Sequence, residues 1–121
     1  VLPSAKYWDV WTEVPFGFTV WAHLPLGFMA LALAYRSGAP WNESKYSNKE
    51  FDETLTKAEG TIDLEARKDL IGKLEQIMQE DGPIVQPLWR SIIFPVDKKV
   101  KGFQGHPTRY FFCEEWAIEQ A

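Results

Sequence analysis

Read for its period alone, the chain falls into three regimes. Tyr7, Trp8 and Trp11 sit at helical spacing behind Ser4, which can cap a short first helix before Pro15 and Gly17 interrupt it. From Phe16 to His23 the period drops to two: Phe16, Phe18, Val20 and Ala22 share one face, and Thr19, Trp21 and His23 the other. That alternation predicts a central strand. Beyond Pro25 and Gly27, Phe28 to Tyr35 is apolar on every side and predicts a helix buried against more than one neighbour.

A breaker, 37-SGAP-40, and an aromatic, amide-rich loop, 41-WNESKYS-47, follow. Ser47 with Glu50 fits a capping box, and Asn48 caps equally well. The helix that starts there carries the stripe Phe51, Leu55, Ala58 and ends at Gly60. Asp63 can cap the next, whose apolar face is Leu70, Ile71, Leu74, Ile77 and Met78, with Gly82 and Pro83 as its stop. Asp69 and Lys73 are spaced for an exposed i, i+4 pair. The runs 84-IVQPLW-89 and 91-SIIFPV-96 read as short strands, each pushed toward a sheet edge by a proline. The tail from Gly102 onward is irregular and aromatic. Strands separated by helices predict an α/β layer architecture with some parallel pairing. The expected core includes Phe18, Val20, Phe28, Leu31, Phe51, Leu55, Leu70, Leu74 and Ile77. Ligands of open sheets of this kind bind beyond the carboxyl ends of the strands, which points to 20-VWAHLPLG-27.

Composition narrows the function more than the fold. With 121 residues, 45% hydrophobic and 25% charged, the chain suits one globular domain. A net charge of -4 lacks the basic footprint of a nucleic-acid binder, and 97-DKKVK-101 reads as a solvated turn or strand edge. The longest apolar run, 24-LPLGFMALALAY-35, is too short to span a bilayer. A single cysteine, Cys113, excludes an internal disulfide and fits a small buried hydrophobe. The chain opens on 1-VLPSAKYW-8 without an initiator Met, which suggests a piece of a longer polypeptide.

No phosphate loop, His-x-x-x-His pair or nucleophile elbow occurs. His23 and His106 have no carboxylates at ligand spacing, and the adjacent Glu114 and Glu115 would point to different sides, so neither a metal site, a cofactor site nor a catalyst is expected. Arg36 fits a surface cap at the end of the buried helix or a partner for a ligand carboxylate.

The run from Gly38 to Arg90 resembles the C-terminal lobe of the peptide-type (oligopeptide, dipeptide and nickel) substrate-binding proteins of ABC importers. The resemblance lies in a series in fixed order: the Trp41-Asn42 loop, Tyr46-x-Asn48-x-Glu50-Phe51-Asp52, Ala58, Asp63-x-Glu65-x-Arg67, Asp81-Gly82-Pro83 and, later, Val100-Lys101-Gly102-Phe103. It implies that residues 1–121 are the C-terminal part of the second lobe of a two-lobed type II periplasmic-binding-protein fold. It also implies a longer parent with an upstream signal peptide, an extracytoplasmic or periplasmic location, a small peptide or related solute as ligand, and an ABC permease as partner. Trp41, Asn42, Tyr46 and Asn48 look like the family's loop and cap.

The same resemblance places the ligand site at Trp21, Ala22, His23 and Leu24. There the family shows a Gly-Trp-x-Ala-Asp-Tyr segment whose Asp takes an α-ammonium group. Trp21 matches; the acid does not, and its loss removes a charge-assisted bond. Trp21 fits equally well as a core tryptophan, and His23 as a strand-end residue bonded to a neighbouring loop. The alternative function is a standalone interaction domain whose aromatic loop and tail dock another protein; an enzyme is the weakest reading.

Overall fold

The computed structural model describes residues 3–89 and 91–119. Its elements in chain order are the helices α1 (Ser4–Val10), α2 (Gly27–Ala34), α3 (Lys49–Gly60) and α4 (Leu64–Asp81), then a two-residue strand β1 (Val100–Lys101), a 3-10 turn (Cys113–Glu115) and a strand β2 (Ala117–Ile118). Contacts divide the chain into two compact units, one of residues 1–21 and 26–85, the other of residues 22–25 and 86–121.

The first unit is built on the α3–α4 hairpin. Phe51, Thr54, Leu55 and Ala58 recur at helical spacing along α3 and are all buried. Leu74 of α4 is fully buried among them, with Leu70, Ile77 and Met78 packed alongside. The C-terminal end of α2 closes this core through Ala34 and Tyr35, with Phe28, Leu31 and Ala32 partly buried against it. Both hairpin helices start on a side-chain cap: the Asn48 side chain accepts from the Phe51 N–H at 3.0 Å, and the Asp63 side chain accepts from the Ala66 N–H at 2.8 Å. Of the two caps the sequence allows for α3, Asn48 is the one used. α4 stops at Gly82, whose φ of 60° is the left-handed conformation a glycine adopts without steric cost.

The loop ahead of α3 is organised by one buried amide. Asn42 is 4% exposed and makes four hydrogen bonds: its Nδ2 donates to the carbonyls of Arg36 (3.1 Å) and Tyr46 (2.7 Å), and its Oδ1 accepts from the Tyr46 N–H and the Ser44 hydroxyl, both at 3.0 Å. That is the full complement of two donors and two acceptor sites on an amide. The loop so shaped is clasped to the far end of α4, where one oxygen of Asp81 accepts from the Tyr46 hydroxyl at 2.6 Å and from Asn48 Nδ2 at 2.7 Å. Further ties cross between elements. The Ser37 N–H donates to Asp52 Oδ1 at 3.0 Å, Arg36 pairs with Glu59 at 2.7 Å, and Lys73 pairs with Glu50 at 2.6 Å. Lys73 therefore reaches across to α3 instead of pairing with Asp69, and Arg36 braces α3 where a cap on its own helix was expected.

In the second unit, β1 and β2 pair antiparallel, Val100 opposite Ile118 and Lys101 opposite Ala117. Phe94, Phe103, Trp116 and Phe111 form a closed ring of four contacts, with centroids 5.8, 5.5, 6.0 and 5.8 Å apart in turn. Gly102, at a φ of 75°, lies so close to the Glu115 carbonyl that a Cβ there would collide with it. Asp97 turns the chain into β1 by accepting from the Lys99 N–H at 2.9 Å, so 97–101 is the turn and strand edge its composition suggests.

Three expectations change. Residues 16–23 are not a strand, nor are 84–89 or 91–96 among their described residues, and the pairing seen among the described residues is antiparallel. A strand needs a neighbour to take up its N–H and C=O groups, and alternation alone does not supply one. The 16–23 segment is tied down by isolated bonds, such as the Tyr7 hydroxyl donating to the Phe18 carbonyl at 3.1 Å. Phe18 and Val20 are accordingly 72% and 45% exposed and stand outside the core. The all-apolar α2 buries one side only, leaving Met29 and Leu33 exposed. Cys113 is exposed on the 3-10 turn, where a short turn has no interior face to hide it.

Leu74→Ala is expected to cost about 2–5 kcal/mol in a denaturant titration, since the side chain is fully enclosed. A loss under about 0.5 kcal/mol would remove Leu74 from the core. Gly102→Ala is expected to destabilise the β1–β2 ribbon by more than about 1 kcal/mol, read as lost amide protection at Lys101 and at Glu119, whose N–H donates to the Lys99 carbonyl. The clasp predicts a pH dependence. Its hydrogen bonds from Tyr46 and then Asn48 hold the Asp81 carboxyl below its ordinary value. A depressed folded pKa stabilises above the unfolded value, about 3.9, and that contribution fades as the pH falls through the folded value. Wild type should therefore exceed Asp81→Asn in stability at neutral pH, the gap narrowing only below about pH 4. A gap that stays constant in denaturation curves from about pH 7 to about pH 2 would deny the carboxylate this role.

Candidate functional site

The residues singled out as a site divide between the two units: Trp21 belongs to the first, while Ala22, His23 and Leu24 belong to the second. Ala22 and His23 are exposed and Leu24 is half-buried. Trp21 and His23 would share one face only in a strand from Phe16 to His23, and that strand is not formed.

Trp21 itself sits at a corner the sequence does not announce. It is partly buried against the edge of the core and is the middle of a row of indoles, 6.4 Å from Trp11 and 6.0 Å from Trp41 between ring centroids. The row continues from Trp11 to Trp8 at 5.8 Å and Tyr7 at 5.3 Å. α1 supplies Tyr7 and Trp8, Trp11 follows directly on it, and the Asn42-shaped loop supplies Trp41. Edge-on and tilted contacts of this kind suit the charge distribution of aromatic rings, positive at the edge and negative on the face. Trp8 and Trp41 remain 53% and 51% exposed, so the ends of the row face solvent.

At this corner stands a carboxylate. Glu43, from the same loop as Trp41, accepts from the Trp21 indole N–H at 3.4 Å through one oxygen and from the Thr19 hydroxyl through the other. These two bonds fasten the irregular 16–21 segment to the loop. Burial first, and the Glu43 charge second, push the nearby Tyr35 phenol up to about 12. The other charge of the loop, Lys45, turns away to Glu13 at 3.0 Å and holds the Glu13 carboxyl below its ordinary value.

The expectations for the loop are met in the structure: Asn42 and Asn48 are supports, and Tyr46 locks the start of α3 to Asp81. Burial and the Asp81 bond push the Tyr46 phenol upward, so it stays a hydrogen-bond donor. A shallow hollow on α3 lined by Asp52, Glu53, Thr56 and Lys57 gathers little free chemistry, because Asp52 and Thr56 already serve Ser37 and the α3 backbone. Among the described residues no group of three or more His, Cys, Asp or Glu side chains could hold a metal ion, and no helix is long and apolar enough to cross a membrane.

What sequence reasoning missed is Glu43. No local spacing links it to Trp21, 22 residues earlier. The available signal was an acid placed beside the Trp-Asn pair of a loop that the fold must bury in part.

No protein-family model matches the chain, and no solved structure matches it. Among curated proteins, it is similar to the dipeptide-binding protein DppE of Bacillus subtilis (strain 168), 26% identical over 84 residues. That stretch is 69% of this chain and 15% of DppE, so the chain spans a small part of the relative's length.

Proposed function

We propose that the chain is part of the solute-binding component of an ABC import system, which takes a peptide or peptide-like solute outside the cytoplasm and delivers it to a permease. The observation that carries this reading is the similarity to a dipeptide-binding protein. The Trp-Asn loop, the Asn48 cap and the Asp81-Gly82-Pro83 exit, which resemble the importer-associated binding proteins, support it further by meeting in one hydrogen-bonded cluster. On this reading residues 1–121 are the C-terminal part of the second lobe of a two-lobed α/β receptor, the solute lies against the stretch Trp21 to Leu24, and an export signal stands upstream. Stacking on Trp21 would provide the main contact, with the His23 imidazole or local backbone adding a hydrogen bond. Catalysis has no place in it.

The exposed indoles Trp8 and Trp41 favour a second reading, a protein-interaction domain that docks a partner on the aromatic row. Calorimetry separates the two. The protein expressed from its complete reading frame is expected to bind a component of a mixed dipeptide pool, and Trp21→Ala to weaken that binding by about 1–3 kcal/mol, with His23→Ala costing less. Residues 1–121 alone are expected to give no heat with the same pool, because each lobe supplies only part of a solute's enclosure. Unchanged affinity in a normally folded Trp21→Ala protein would confine Trp21 to a packing role. Micromolar peptide binding by residues 1–121 alone would favour the interaction domain.

A further inference from the structure

We propose that the row of indoles is a relay for one-electron oxidation: an electron lost from exposed Trp8 or Trp41 is replaced from Trp21, whose indole proton passes to Glu43 and traps the oxidation there as a neutral radical. Trp21 is thereby the tryptophan of this unit that a diffusible one-electron oxidant of the carbonate-radical class modifies. The proposal goes beyond the solute-binding reading and does not rest on it.

Three observations carry it. The first is continuity. Trp8, Trp11, Trp21 and Trp41 follow one another at centroid separations of 5.8, 6.4 and 6.0 Å, each within the roughly 4.5–7 Å of aromatic rings in contact. Electron transfer falls off exponentially with the gap between donor and acceptor, so touching indoles exchange an electron far faster than isolated ones. The second is access. Trp8 and Trp41 are 53% and 51% exposed, whereas Trp11 and Trp21 are half-buried. A charged oxidant in water meets the outer two first. The third is the proton. A tryptophan that has lost an electron becomes a strong acid at its indole N–H, and the radical settles where a base stands ready to take that proton. Among the described residues, only the Trp21 indole of the four donates to a carboxylate, Glu43 Oε1 at 3.4 Å. No Lys or Arg among the described residues pairs with Glu43 to weaken it as a base, and Lys45 is committed to Glu13 at 3.0 Å. Tyr7 lies beyond Trp8 at 5.3 Å, but its phenol donates to the Phe18 carbonyl, a far weaker base than a carboxylate.

Electrons and protons balance. One carbonate radical takes an electron and becomes carbonate; Trp21 gives up that electron through Trp41, or through Trp11 and Trp8, and its N–H proton to Glu43. A second carbonate radical takes a further electron, and water then adds hydroxyl to the ring and releases a second proton. The product is hydroxytryptophan, and two bicarbonate ions carry away both electrons and both protons.

The test uses the protein from its complete reading frame in air-free solution, with carbonate radicals generated by photolysis to low conversion and hydroxytryptophan located by peptide mass mapping. Trp89, 90% exposed and outside the row, is the reference for direct attack. Wild type should carry more product at Trp21 than at Trp8, Trp41 or Trp89, against the order of exposure. Trp8→Phe combined with Trp41→Phe keeps a ring at each position but closes the entry, and should lower the Trp21 product at least threefold with Trp89 unchanged. Glu43→Gln keeps an acceptor for the indole but cannot take its proton; the Trp21 product should again fall at least threefold while those at Trp8 and Trp41 rise. A misfolded variant would expose Trp21 and raise its product, so a folding defect cannot imitate either fall. Products ranked by exposure in wild type, or a Trp21 yield that the double variant leaves unchanged, would overturn the relay. A Trp21 yield indifferent to Glu43→Gln would overturn the proton trap.

Discussion

The amide of Asn42 is the constraint on which the helical unit is assembled. Buried with both donors and both acceptor positions engaged, it fixes the backbone from Arg36 to Tyr46 as one rigid curve. Everything that converges on the loop inherits that geometry. Asn48 reaches the first turn of α3, Tyr46 and Asn48 reach Asp81, and Glu43 reaches Thr19 and Trp21. A smaller side chain would take the Tyr46 carbonyl's side-chain donor away, while the Arg36 carbonyl would keep the Ala39 N–H; a buried polar group left unpaired costs about 1–3 kcal/mol. The neighbouring ties would be lost with the curve that presents them.

The hairpin was legible because its information is local and redundant. In α3 and α4 the apolar period, the caps Asn48 and Asp63 and the stop at Gly82 all agree, and the buried set Phe51, Leu55, Ala58 and Leu74 falls on the predicted stripes. The 16–23 segment shows the opposite. Its alternation is clear, yet whether an alternating segment becomes a strand depends on a partner elsewhere, and Phe18 and Val20 end on the outside. In α2 the failure was of a different kind: an all-apolar helix carries no stripe, so the sequence does not say which side faces the core.

The candidate site was half legible for the same reason. A tryptophan at position 21 stands out in any reading, but its neighbours come from two other places in the chain, Trp11 from the end of α1 and Trp41 with Glu43 from the loop before α3. Long-range convergence leaves no spacing signature. Bonds to Glu43 also explain how an irregular segment is held without a sheet: two side chains hand their donors to one carboxylate, and the Trp21 ring packs between Trp11 and Trp41.

The Tyr46–Asp81 bond joins residues 35 positions apart, while the connection between α3 and α4, residues 61–63, makes only bonds to the helices it links. The two ends of the hairpin are thus unlike in their tolerance of change. At the open end, Ile62 is 93% exposed and extra residues would lengthen a surface turn at small entropic cost. At the clasped end, a single inserted residue between Asn42 and Asn48 would shift the register of every donor and acceptor there. Fluorescent tags, protease sites and divergent sequence can therefore accumulate at one tip of the hairpin, while the other tip is confined to near-constant length.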